Sequence, residues 1–436
     1  MKKIVDARPI GLLGAYERDN FGDLLFLERT RALLGAENSI ALTTFSHTPE
    51  LLTSSRPLTL ATADSSSAVR GLWVVGGEVG AVAVYAAYGM LDDGKKGESF
   101  IGASRSKRRR IIRRASGARL TDLAYLPRAT SLRNLASAPY IVNSVGLTGV
   151  DLLRGDMRLA AIAALREADF ISVREQESSA LLNGLGISHR LAPDLVHTLR
   201  LDYPELATKE ARETAREMGR AVVQVSEAQL RSVGIDALAH AIANSDALKG
   251  RHVRLFVAGT APKHDSVEMY DQLATAVRLI NPRAKIDIST ATEPLDKVRE
   301  LATSSLVLAT SLHAMIISMS FNVPHAGLFI PKVARYANCW KDPMPTGVPI
   351  SEFGSAAIAA VDRGPSLEES DFADNLAESA RDNALAAKAA TEVSDPSLAR
   401  EREVARADSK RELRSSLRNP RVLVTRASRA LLRPLS

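Results

Sequence analysis

His313 is the residue whose type and position first suggest chemistry. It lies in the stretch Leu306–Leu328, LVLATSLHAMIISMSFNVPHAGL. Leu306–Ala309 is a continuous apolar run, as expected of a parallel strand covered on both faces. Thr310 and Ser311 offer hydroxyls suited to a helix N-cap. Leu312, Met315, Ile316 and Met319 follow at helical spacing, so one face of that helix is expected to be core. Asn322 and Pro324 end it, and Pro324–Leu328 leads into another strand. His313 therefore falls in a first helical turn at the carboxyl end of a buried strand. Open α/β sheets bind ligands at that place, and free backbone N–H groups there favour an anion. An imidazole so placed serves as a base or, protonated, as an anion ligand; a capping or packing histidine is the reading without chemistry.

Two glycine bends repeat the arrangement near the start of the chain. Pro9–Gly14 is a short apolar strand, and the predicted helix Phe21–Leu34 is closed by Gly35. Asn20, Gly22 and Asp23 sit at the turn between them, where glycine lets the backbone approach a ligand. Leu72–Val75 is a further strand, and Gly76-Gly77 makes a second turn at the same sheet edge. Neither bend is a GxGxxG loop, and no Walker lysine is present.

The elements that must hold these residues alternate between strand and helix. Ile40–Phe45, Tyr140–Val145 and Asp169–Val173 read as strands, Met157–Ala168 and Ser178–Leu185 as helices, and Ser54–Ser67 as loop. Beyond a break at Pro193–Pro204 and a polar helix over Glu205–Met218, a second series begins. Its strands are Ala221–Val225, His252–Ala258 and Lys285–Ile288; its helices are Ile235–Asn244, Ser266–Leu279 and Pro294–Thr303. This pattern predicts an α/β protein of two doubly wound parallel-sheet domains facing a cleft, a GT-B-like arrangement. The expected divisions are residues 1–200, with a basic insertion near 103–118, then 201–365, and a helical, arginine-rich tail over 366–436, in which Phe372–Val393 should be helical.

Composition narrows the classes. The 436 residues are 45% hydrophobic and 25% charged, a globular profile too long for one core. Aromatics at 5% argue against a module of stacked rings for carbohydrate. The single Cys339 rules out an internal disulfide and a cysteine-based metal cluster. MKKIVDARPIGLLG lacks a signal-peptide apolar core. Gly71–Leu91 carries Glu78 and five glycines, so it reads as strand, turn and buried helix rather than a membrane span. A cytoplasmic protein is expected, with peripheral contact to the inner membrane face as an option. The net charge of +7 is concentrated in Arg105–Arg114, RSKRRRIIRR, and beyond Arg400. The first run is expected on an exposed insertion loop or solvated helix end. The tail suits either an interfacial helix contacting anionic membrane or a solubilising end. Nucleic acid is not an expected partner, because no aromatic residues interleave the bases.

Four segments in order resemble the polysaccharide pyruvyl transferase family: GAYERDNFGD, VVGGEVG, SVREQESSALLNGLG with APDLVHTL downstream, and TSLHAMIISMSFNVPHAG. The resemblance spans roughly residues 9 to 335. It implies a GT-B-like enzyme that moves the enolpyruvyl unit of phosphoenolpyruvate onto a sugar, usually as a cyclic ketal. No cofactor is implied; phosphoenolpyruvate is the donor substrate, and the partner is a glycan or lipid-linked sugar acceptor. Carried over by position, Arg174 matches the arginine that binds phosphoenolpyruvate, His313 the motif histidine, and Leu312 the residue before it. Asn20, Gly22, Asp23, Gly76, Gly77 and Ser311 fall among the substrate-binding positions.

One departure matters. Ser311 stands where the family usually has arginine, and Glu78 takes the third place of a glycine turn. Phosphoenolpyruvate carries a carboxylate and a phosphate, both suited to bidentate arginine. Lys332 or Arg335 is expected to supply the missing charge. Asp23 and Glu175 are candidate carboxylates with structural roles favoured, and His325 reads as a packing residue. The pyruvyl transferase reading thus stands beside two others: a GT-B glycosyltransferase using a nucleotide sugar, and a catalytically silent relative that binds a glycan or a partner. All three require one crevice that holds Arg174 and His313 together.

Overall fold

The computed structural model describes residues 6–46, 57–91, 99–262, 264–364 and 367–392, together with Val404, Ala407 and Arg411. Among the described residues, thirteen strands form two wholly parallel sheets. The first contains β1 (Ile10–Leu13), β2 (Ser39–Thr43), β3 (Leu58–Thr59), β4 (Gly71–Val75), β5 (Tyr140–Val145), β6 (Phe170–Val173) and β7 (Arg190–Leu191), in the order β3-β2-β1-β4-β5-β6-β7. The second contains β8 (Arg220–Gln224), β9 (His252–Leu255), β10 (Lys285–Ile288), β11 (Leu306–Ala309), β12 (His325–Leu328) and β13 (Thr346–Val348), in the order β10-β9-β8-β11-β12-β13. Each is a doubly wound sheet, and together they give the two facing α/β domains that the alternation predicts.

Burial follows position in the sheet. β1, β4, β5 and β11 are buried along their whole length, because helices cover both faces of a parallel sheet. The edge strands β3 and β7 are two residues long and partly or fully exposed. Gly71–Leu91 is β4, a glycine turn and the helix Val84–Gly89. Among the described residues no helix is long and apolar enough to cross a membrane.

Several sequence expectations change in detail. Ser54–Ser67 is not all loop: from Leu58 it holds β3 and the helix Leu60–Ser65, capped by the Thr59 hydroxyl. The basic run is neither a loop nor a helix end but a complete helix, Arg105–Ser116, capped by Ser104 and stopped at left-handed Gly117. The helix after β11, Leu312–Ser320, buries more than one face, for every residue from Ala314 to Ser320 is buried. Its second face is covered by the first domain and by the long helix Leu367–Thr391. That long helix returns to the first domain, where Asn383 donates to Asn143 Oδ1 of β5 and to the hydroxyl of Ser172 in β6, both at 3.0 Å. Most of the arginine-rich stretch beyond residue 400 lies outside the described residues.

Candidate active site

Each sheet reverses its strand order once, between β1 and β4 in the first domain and between β8 and β11 in the second. Ligands of doubly wound sheets bind at the carboxyl ends of the strands beside such reversals. Asn20, Gly22 and Asp23 follow β1; Gly76 and Gly77 follow β4; Ser311, Leu312 and His313 follow β11. Arg174 directly follows β6, and Lys332 opens the helix Pro331–Cys339 after β12. The loop after β1 meets the loop after β9 of the second domain. The Phe21 N–H donates to the Ala258 carbonyl at 3.0 Å, and Asp19 Oδ2 accepts from the N–H and hydroxyl of Thr260 at 2.9 and 2.8 Å.

His313 projects from its helix into the start of the helix Phe21–Leu34. A β-carbon on Gly22 would overlap the imidazole at Nδ1, so only glycine permits this approach. The rings of Phe21 and Phe26 stand edge-on to His313, with centroids 6.2 and 5.1 Å away. Its Nε2 is buried without a hydrogen-bond partner. Burial, then the charges of Arg174 and Lys332, hold its pKa well below the ordinary value. The resting side chain is therefore a neutral imidazole, a base rather than a cation.

Arg174 shares Phe26 with His313: its guanidinium carbon lies 5.8 Å from the centre of that ring. The two residues thus come together on one ring, drawn from opposite domains. Arg174 is 3% exposed and donates from one terminal nitrogen to Asp194 Oδ2 at 2.8 Å, while its Nε has no partner. Burial works against its charge, but Asp194, Glu78 and Glu175 outweigh that cost and raise its pKa. Asp194 is anchored in turn by the Val196 N–H at 3.0 Å.

Around this pair the cleft is mixed in charge. Lys332 is open to solvent at the mouth. Protein on both sides, and then Arg174, nonetheless lower its pKa against the pull of Glu78 and Asp23. Arg335 turns to Glu177 at 3.9 Å, whereas among the described residues Lys332 has no ion-pair partner, and its charge acts on His313. Glu78 also opens on the cleft, yet its carboxylate is crowded by Gly146, where a β-carbon would overlap Oε2. Its pKa is pushed up to about 7, by burial first and with help from Glu175, against Arg174. Gly76 and Gly77 make their turn at φ +54° and +78°. That turn brings Gly77 against Asp23, which accepts from Asn20 Nδ2 at 2.8 Å and from Arg18 at 3.4 Å. Asn20 caps the helix through the Gly22 N–H.

Other candidates have partners within the fold. Ser311 is the N-cap of the His313 helix, with its hydroxyl toward the Ala314 N–H at 3.4 Å and its own N–H on Gln224 Oε1 at 2.8 Å. Leu312, expected among the substrate-binding positions, is 4% exposed and packs within the core. Glu175 accepts from Thr148 and Ser178 at 2.9 and 2.8 Å. His325 is fixed between the Val323 carbonyl and Asp342.

A buried hydrogen-bond chain, unsuspected from sequence, ties the two halves together. The Asp194 N–H donates to the Tyr336 hydroxyl at 2.9 Å, and that hydroxyl meets His197 Nε2 at 2.9 Å. His197 Nδ1 meets the Ser320 hydroxyl at 2.8 Å, and Ser320 donates to the Ile316 carbonyl at 2.8 Å. Since Ser320 spends its one proton on Ile316, His197 must donate from Nδ1 and accept at Nε2. Burial lowers the His197 pKa to about 3, so that neutral tautomer persists. The chain runs from the residue that holds Arg174 to the helix that carries His313. Asp194, Tyr336, Glu78 and Phe26 are the contributors that sequence reasoning missed. Only Asp194 and Glu78 left a signal, in the APDLVHTL and VVGGEVG segments.

Residues 20–328 match the family model described as polysaccharide pyruvyl transferase. No curated protein matches the chain. Among solved structures, the Anabaena protein HepE in complex with UDP and glucose is 10% identical, with 88% of this chain and 97% of that one covered and a TM-score of 0.47. The sucrose-phosphate synthase of Thermosynechococcus elongatus is 14% identical, with 94% and 100% covered and a TM-score of 0.42. The UDP-N-acetylglucosamine 2-epimerase of Rickettsia bellii is 10% identical, with 86% and 95% covered and a TM-score of 0.45.

Proposed function

The chain belongs to the polysaccharide pyruvyl transferase family, and on that premise we propose that it transfers the pyruvyl unit of phosphoenolpyruvate to a hydroxyl pair of a cell-surface polysaccharide or its precursor. One arrangement carries the reading: Arg174 from the first domain and His313 from the second lie against the same Phe26 ring, with His313 Nε2 lacking a hydrogen-bond partner and Lys332 of the second domain adding its charge. A small donor with two anionic groups needs two cationic anchors, and a hydroxyl nucleophile needs an uncharged base.

In this mechanism Arg174 and Lys332 hold the carboxylate and the phosphate, with Lys332 doing what an arginine at position 311 would otherwise do. Glu78, whose raised pKa keeps a proton on a share of the molecules at neutral pH, gives that proton to the methylene carbon, and C2 becomes electrophilic. An acceptor hydroxyl attacks C2 and loses its proton to His313. The second hydroxyl then forms its own C2–O bond as the bond to phosphate breaks, and phosphate leaves with that electron pair. Of the two hydroxyl protons, one restores Glu78 by way of the site and the other departs on hydrogen phosphate. The sum is phosphoenolpyruvate plus a diol giving a carboxylate-bearing ketal plus hydrogen phosphate. A donor with two anionic groups beside His313 also raises the imidazole's proton affinity when it is needed.

Thermal shift with phosphoenolpyruvate against a panel of nucleotide sugars tests the donor. Phosphate release from phosphoenolpyruvate with pyranosides bearing free hydroxyl pairs tests the reaction. A shift with phosphoenolpyruvate alone, and phosphate release that needs both partners, is the expected result. A shift with a nucleotide sugar instead transfers the site to glycosyl transfer, and no shift with any donor makes it a binding protein.

A further inference from the structure

The helix Arg105–Ser116 bears seven basic side chains among its first ten residues. Arg105, Lys107, Arg109, Arg110, Arg113 and Arg114 are exposed, while Ile112 pins the helix to the core of the first domain. Ordinary solvated helices interleave acids with bases three or four residues away. Here Arg105–Arg109, Arg109–Arg113 and Arg110–Arg114 are like-charged neighbours, and no acidic residue occupies the first turn. Arg105 and Lys107 also stand at the positive end of the helix dipole, the end that favours anions. Among the described residues, none of the seven side chains makes an ion pair. The helix is thus folded at an electrostatic disadvantage that an external anionic surface would relieve.

A second feature indicates which surface. Ile101, three residues ahead of the Ser104 cap, is 62% exposed. An exposed aliphatic side chain just ahead of a cationic helix in the chain suits the boundary between lipid headgroups and acyl chains. It adds nothing to recognition of a dissolved polyanion, and the helix has no aromatic ring on which nucleic acid bases would stack. We propose that this helix, with Ile101, is a docking face for an anionic lipid bilayer. The proposal does not depend on which donor the cleft accepts.

The test is flotation of the full chain with vesicles of phosphatidylcholine alone or mixed equally with phosphatidylglycerol. Binding only to the anionic vesicles, and release by high salt, is expected. Replacing Arg109, Arg110 and Arg113 together with glutamate should weaken partitioning by at least about a hundredfold, given the contribution of each basic residue at such a surface. Ile101→Ser should weaken it more modestly. In a Cys339→Ser background, Ile101→Cys carrying a polarity-sensitive dye should shift to the blue on anionic vesicles. If the triple variant floats as well as the native chain, another surface, such as the arginine-rich end, carries the contact and the proposal falls. It falls equally if the dye responds to duplex RNA or to an anionic polysaccharide but not to vesicles.

Discussion

Gly22 and His313 share one volume across the domain boundary: the imidazole fills the space that a side chain at position 22 would need. The histidine is therefore positioned by the other domain, through an absence of atoms. Gly22→Ala is expected to push His313 aside while the Asn20 cap and the buried helix keep the fold. A displacement of about 1 Å at a reacting group costs roughly a hundredfold in rate. Phosphate-release kinetics on a variant with an unchanged melting temperature would check this.

His313→Asn removes the base while keeping a polar side chain of similar reach. The expected loss in kcat is about 10²- to 10⁴-fold, with little change in affinity for phosphoenolpyruvate. Arg174→Lys should show the opposite emphasis, a raised KM, because one ammonium cannot serve both Asp194 and the donor in the geometry of a guanidinium. A variant pair with equal effects on kcat and KM would contradict the division of roles.

Lys332→Ala should weaken phosphoenolpyruvate binding by about 1.5–3 kcal/mol, the value of a charged hydrogen bond, or roughly ten- to a hundredfold in KM. Adding Ser311→Arg should recover part of it by returning a cation to the crevice, at a cost of about 1 kcal/mol in stability from the lost helix cap. Titration calorimetry of the single and double variants would measure both effects.

The pH dependence should report Glu78. A carboxyl raised to about 7 carries its proton below that pH and loses it above. If it is the acid, kcat/KM falls as pH climbs through about 7, whereas the lowered pKa of His313 keeps the base competent on the acid side. Glu78→Gln should abolish the alkaline limb along with most of the rate. An unchanged alkaline limb in that variant would remove Glu78 from the mechanism.

Tyr336→Phe breaks the buried chain in the middle, leaving the Asp194 N–H and His197 Nε2 unpaired. The expected cost is about 1–3 kcal/mol in a denaturant melt. Because Asp194 orients Arg174, KM for phosphoenolpyruvate should rise as well, a change that a purely structural loss elsewhere would not produce.

Much of this was legible in the sequence. Phe21–Leu34 begins and ends where Asn20 and Gly35 say it should, and Lys285–Ile288 and Leu306–Ala309 are strands as read. The helix Leu60–Ser65 was hidden because LATADS buries only Ala63 and shows no apolar period. Arg105–Ser116 was obscured in the same way, with one buried isoleucine among charges. Gly22, Asp23 and His313 could be singled out because each sits at a strand end with its own local signal. Phe26 and Tyr336 could not. Phe26 reads as an ordinary core residue of its helix, and Tyr336 gains its role only by meeting Asp194 and His197, which are distant in sequence.

The long helix Leu367–Thr391, bonded to β5 and β6 through Asn383, has a mechanical consequence. The polypeptide enters the second lobe ahead of Lys209, and this later helix lies back on the first. It also packs on Leu312–Ser320. A single helix thus touches both the strand that leads into Arg174 and the helix that carries His313, so a truncation that removes it is expected to loosen both residues at once.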